Sequence, residues 1–215
     1  MIANASMTYH LAASCARVRQ ASADERTSRL IQRLLQSPDV EKLWDSVAEM
    51  CGGDRIAVES VTKESNQAPF GAFCSVYWKH HPRYGLVLNS PKISYCESFD
   101  DDTSMLYILF EICNLTCFKE YLELDMQVQR GELTMSAYVD ANYKIEADKV
   151  NRLYHFCVEK IYEMGIVSRE AYLRPCGADL SDEHKRRIKN NYRDLSARNK
   201  ASWLAALFNC LFYRP

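Results

Sequence analysis

Met105-Leu-Tyr-Ile-Leu-Phe110-Glu-Ile-Cys-Asn114-Leu-Thr-Cys-Phe118 decides how this chain reads. Over these fourteen residues only Glu111, Asn114 and Thr116 are polar, and their spacing confines them to little more than one side. The segment therefore predicts a helix buried on nearly every face, the central core helix of the protein. An ionised carboxylate buried without partners costs several kcal/mol. Glu111 must be paired, kept protonated or open to a cavity. It is then either a structural buried acid with one good partner, or the remains of a site.

Around that helix the composition is that of an ordinary globular chain. Its 215 residues are 47% hydrophobic and 26% charged, with little Gly or Pro, which predicts a helical majority and a core that needs no staples. The formal net charge of -1 argues against nucleic acid or an acidic partner as the target of the whole molecule. Nine cysteines form an odd set with no CxxC pair, and Cys113, Cys117 and Cys157 fall on apolar helical positions. They read as reduced core residues of a cytoplasmic or similarly reducing compartment, not as a disulfide frame or zinc ribbon.

Residues 1–22 hold no acidic side chain and no apolar run of h-region length. They read as a flexible leader, either one that a non-Sec secretion or import system recognises or a frayed terminus, the second being preferred. No segment approaches 18 consecutive apolar residues, so no transmembrane helix is expected.

In chain order, Leu30, Ile31, Leu34 and Leu35 recur at helical spacing. Ser37-Pro38 then supplies an N-cap and a first-turn proline for a second helix that ends at Gly52-Gly53. Strands are expected over 55–62, 70–78 and 84–89, with a short fourth over 93–96. His80 and His81 are adjacent on a strand and point to opposite faces, so they read as a hairpin tip rather than a metal pair. Asp100-Asp101-Asp102-Thr103 caps the central helix, where acidic side chains match the positive end of its dipole. Capping is preferred over a cation site. The helix continues to Arg130-Gly131, and a second long helix opens at Thr134 or Ser136 and ends at Gly165. Joined by so short a turn, the two should pack antiparallel and bring Glu111 near Glu146 or Asp148. The fold class is α+β: helical lead-in, small mostly antiparallel sheet, two long antiparallel core helices and a helical C-terminus.

A β-hairpin, a cap, a core helix with an internal glutamate and a following helix with Ile145-Glu146-Ala147-Asp148 resemble the minimal zincin metallopeptidase plan over about residues 70–165. In that plan the core helix carries HExxH, which sets two imidazoles on one face for zinc while the glutamate activates the metal-bound water. The next helix adds a third ligand, often from an acidic stretch. Here the aligned pentapeptide is Phe110-Glu111-Ile112-Cys113-Asn114. The resemblance implies that Glu111 keeps the general-base position and Glu146 the third-ligand position. Phe110 cannot bind zinc, and Asn114 is a poor ligand for it. A single domain over 23–215 would then hold a degenerate zincin-like core and a helical part over 166–215.

The function this implies is a binding module without a cofactor, a pseudoenzyme with Glu111 as vestigial general base and Asn114, Glu146 and Asp148 as binding residues. Its partner would be a protein rather than nucleic acid, and the acid-free leader suggests a bacterial effector or toxin-related protein. An alternative keeps a zinc-dependent hydrolase with Glu111 as base and metal held by Glu146, Asp148 and His155. His155 lies nine residues beyond Glu146, on the opposite side of an ideal helix. A second alternative is cysteine catalysis by Cys74 with His80 or His81. A third is a helical interaction protein with no retained site. Finally, the basic helix over 182–193 and the apolar one over 203–213 read either as a peripheral membrane contact or, preferred, as a solvated face and a core helix.

Overall fold

The computed structural model describes residues 24–51, 56–62, 72–81, 85–174 and 185–198, with the backbone alone for 73–81 and 85–90. The expected leader, the loop over 65–69, the break at Pro175-Cys176-Gly177 and the last helix over 203–213 lie outside them. The chain falls into two compact units, Met1–Thr116 with Leu153–Gly177 and Cys117–Arg152 with Ala178–Pro215.

In the first unit, α1 (Glu25–Leu34) starts at Asp24, whose carboxylate accepts from the Arg26 and Thr27 amides. It buries Leu30, Ile31 and Leu34. The second helix, α2 (Pro38–Met50), begins on the expected proline and buries Val40, Trp44 and Val47 at i, i+4 and i+7. Its N-cap Ser37 makes no side-chain cap bond. Three strands come next, β1 (Ala57–Val61), β2 (Ala72–His81) and β3 (Gly85–Cys96), in the order β1-β3-β2.

The expected mostly antiparallel sheet needs correction. β2 and β3 form the antiparallel hairpin, but β1 runs parallel to β3, with Val58 opposite Ile93 and Val61 opposite Cys96. The fourth strand expected over 93–96 is the end of β3, which runs on through Pro91. The register slips between Ser75 and Tyr77, so that Ser90 and Pro91 face one residue of β2. A bulge is where a strand tolerates a residue that has no N–H to give. Pairing with β1 begins only at Lys92, past the proline.

α3 (Asp101–Thr116) is the central helix, and it packs against α1, α2, β2 and β3. It buries ten residues from Ser104 to Leu115, on every face, because it has neighbours all round. Asp100 caps it, accepting from the Thr103 amide at 2.8 Å and the Thr103 hydroxyl at 2.9 Å. These bonds hold the Asp100 carboxyl below its usual pKa. Asp101 and Asp102 do different work. Asp101 accepts from Arg26 Nε at 2.9 Å while the same guanidinium donates to the Glu97 and Phe99 carbonyls. Asp102 pairs with Arg33 at 3.1 Å and accepts from the Ser168 amide at 2.8 Å. The two arginines of α1 thus tie the turn after β3 and the start of α3 to the first helix.

The two long helices are each interrupted. Thr116 Oγ1 donates to the Cys113 carbonyl at 2.7 Å, a back-bond that competes with helical geometry in the last turn of α3. The helix stops there, and α4 (Phe118–Gln129) starts afresh in the second unit. It ends where Gly131, at φ 75°, lets the Glu132 amide reach back to the Gln127 carbonyl. α5 (Met135–Ile145) is capped by Thr134, and a π turn over Glu146–Val150 leads into α6 (Asn151–Glu163). The first unit resumes at Leu153 and continues into α7 (Arg169–Leu173). Residues 185–198, here α8, are helical and belong to the second unit. Val128, Tyr138, Val139, Ile188 and Leu195 form the core of that unit.

Candidate functional site

Glu111 sits on α3 with 9% of its surface exposed, where burial is set by a helix packed on all faces. Asn114 lies one turn on and is half-buried. Its Nδ2 donates to Glu111 Oε2 at 3.3 Å. Its Oδ1 is buried and has no hydrogen-bond partner among the described residues. A buried amide acceptor without a donor costs about 1–3 kcal/mol.

The neighbouring positions are apolar. Phe110 is 8% exposed and meets the Tyr154 ring edge-on, with centroids 5.3 Å apart at 84°. Cys113 is buried and donates its thiol to Cys157 of α6, which holds the Cys157 pKa below the ordinary thiol value. Neither is in a disulfide, nor are Cys51, Cys96 and Cys117.

These residues do not fit a zinc ion of the HExxH kind. Position 110 carries a ring engaged with another ring, and Asn114 spends its amide on Glu111. Among the described residues no group of three or more His, Cys, Asp or Glu is placed to hold a metal. His155, offered as a substitute ligand, is exposed on α6 and its ring lies against that of Tyr154 at 5.6 Å.

Of the four candidate site residues, Glu111 and Asn114 are together. Glu146 and Asp148 belong to the second unit, where the π turn leaves Glu146 half-buried and Asp148 exposed. A single π turn inside a longer helix is a feature often found at functional positions. No periodicity in Glu146-Ala-Asp-Lys-Val150 distinguishes it from a plain helical turn.

The cysteine alternative fails on distance along one strand. Cys74 and His80 are six residues apart on β2, opposite Ile93 and Leu86, a separation of roughly 20 Å in extended backbone.

Two other polar constellations stand apart from this pair, the first at the acidic cap read from the sequence and the second unforeseen there. A cavity of about 330 Å³ at the start of α3 is lined by Asp100, Asp101, Asp102, Thr103, Ser168, Glu170, Ala171 and Arg174. Its aspartates are already engaged by Thr103, Arg26, Arg33 and the Ser168 amide. In the second unit Tyr138 donates to Asp125 at 2.6 Å and accepts from Asn191 Nδ2 at 2.6 Å. Burial pushes the Asp125 carboxyl above its usual range, and burial together with Asp125 raises the Tyr138 phenol strongly. Three residues so far apart in sequence leave no local signal.

Comparison with known proteins adds no relative to this geometry: no protein-family model, curated protein or solved structure matches the chain.

Proposed function

We propose that this chain is a catalytically degenerate zincin-like protein acting as a binding module for a protein partner, in the manner of an effector or toxin-related protein. The observation that carries the reading is the Glu111–Asn114 pair: a nearly buried carboxylate and an amide one turn apart, between apolar neighbours, with the Asn114 Oδ1 acceptor lacking a donor among the described residues. Such a pair offers hydrogen-bond acceptors in an apolar setting. That suits peptide N–H groups or a donor side chain, since a bond formed away from water discriminates strongly against partners that lack it. The hydrolytic machinery of the resembled family needs a metal to form hydroxide near neutral pH. Phe110 and Asn114 supply no ligand set for it. Glu146 and Asp148 remain binding residues of the second unit, and delivery into another cell rests on the acid-free stretch over residues 1–22.

Metal analysis of the full chain, purified without a His-tag, tests the degenerate reading. Zinc well below one equivalent is expected, with no change on Glu111→Gln. One equivalent of zinc that is lost in Glu111→Gln or Asn114→Ala would overturn it.

A further inference from the structure

The strongest local charge in the molecule lies on α8. Residues 185–198 carry Lys185, Arg186, Arg187, Lys189, Arg193 and Arg198 against the single acid Asp194, although the whole chain has a net charge of -1. The helix is held down along the adjoining side, where Ile188 and Leu195 are buried in the core of the second unit and Tyr192 packs against it. Lys185, Lys189 and Arg193 stand at i, i+4 and i+8, so successive cations lie one turn, about 6 Å, apart along one exposed stripe. Arg186 falls beside that stripe. The Lys185 ammonium lies over the Tyr143 ring at 5.6 Å, and Arg193 donates to Asn190 at 3.1 Å. Among the described residues no ion pair engages Lys189, Arg193 or Arg198.

We propose that this face of α8 docks on a lipid surface bearing anionic phosphate headgroups. Two observations select that partner. Charge complementarity is the first: a stripe of exposed cations, on a helix seated along its adjoining side in the core of the second unit, suits a plane of negative charge. The second is the apolar run beyond the helix. After Lys200 comes Trp203-Leu-Ala-Ala-Leu-Phe208-Asn-Cys-Leu-Phe-Tyr213, eleven residues with no charged side chain, bounded by the two aromatic types that favour the headgroup level of a bilayer. That run lies outside the described residues and enters by composition alone. Stable membrane attachment needs two weak signals, and a polybasic helix followed in sequence by an apolar run supplies both. A nucleic acid shares the phosphates but offers no apolar phase for Leu204, Leu207 and Leu211. Its binding proteins interleave bases and aromatics rather than segregating them.

Co-flotation of the full chain with vesicles tests the proposal, using phosphatidylcholine alone and phosphatidylcholine mixed with phosphatidylserine. Binding to the mixed vesicles only, weakened by salt, is expected. Lys189→Glu with Arg193→Glu is expected to lower partitioning by roughly tenfold or more. The melting temperature should stay unchanged, since both side chains are exposed. If that variant fails to fold, Lys189→Gln with Arg193→Gln carries the same test. Trp203→Ala with Phe208→Ala is expected to weaken binding while keeping the preference for phosphatidylserine. Equal binding to both vesicles, wild-type binding by either double variant, or a duplex or single-stranded oligonucleotide that outcompetes the vesicles would overturn the assignment.

Discussion

The Tyr138 hydroxyl and the Asp125 carboxylate, 2.6 Å apart, form the polar centre of the second unit, with Asn191 bonded to the same phenol oxygen. Three separate stretches of chain meet there, on α4, α5 and α8. Removing one partner should cost more than a surface bond, because the other is left buried with a bond unmade.

Tyr138→Phe is expected to destabilise the protein by about 1–3 kcal/mol, read from the urea midpoint at constant slope. Asp125 sets the pH dependence. Its folded pKa is raised above the ordinary value, so the folded state holds the proton more tightly and stability falls as pH rises through the window above that value. Asp125→Asn keeps an acceptor for Tyr138 without the charge. It is expected to match wild type at low pH, to be the more stable at neutral pH, and to flatten the stability profile between them.

Glu111→Gln separates a site from a scaffold. If Glu111 is kept for binding, thermal melts should show the variant at or above the wild-type melting temperature, as loss of functional strain commonly does. A structural acid would lose a charge-assisted bond and about 1–3 kcal/mol. A clear drop in melting temperature would leave Glu111 a structural residue.

Arg26→Met keeps much of the side-chain bulk but removes the ion pair to Asp101 and the bonds to the Glu97 and Phe99 carbonyls. A loss of about 1.5–3 kcal/mol is expected from chemical denaturation. Arg26→Lys should recover only part of it, because an ammonium cannot present the planar fork that serves three acceptors at once.

Gly165→Ala isolates a backbone term. Gly165 has φ 68° and a Cβ built there meets nothing within 4 Å, so no steric contact contributes. A cost of about 1 kcal/mol is expected, with Gly165→Asn costing less, since asparagine tolerates the left-handed region.

The central helix was readable because fourteen consecutive residues with three polar members on one side admit no other regular solution. The Gly131 and Gly165 stops, the Ser37-Pro38 start and the Asp100 cap were readable for a similar reason: each depends on residues within a few positions. Glu111 with Asn114 belongs to this group, since spacing of three on a helix places side chains together before any tertiary contact exists.

Tertiary structure decided the rest. The parallel pairing of β1 depends on which edge of β3 it reaches, and alternation along Ala57–Val61 reads the same in either direction. Strand β3 survives Pro91 only because a bulge falls opposite it and β1 pairs beyond it. The roles of Asp101 and Asp102 required arginines more than sixty residues earlier. The breaks at Cys117 and at Glu146–Val150 fall inside runs whose helical periodicity continues, and at the second an amide takes the carbonyl five residues back in place of the one four back. Periodicity reports which face is apolar; it carries no record of which acceptor each amide finally takes, and that choice is made by packing.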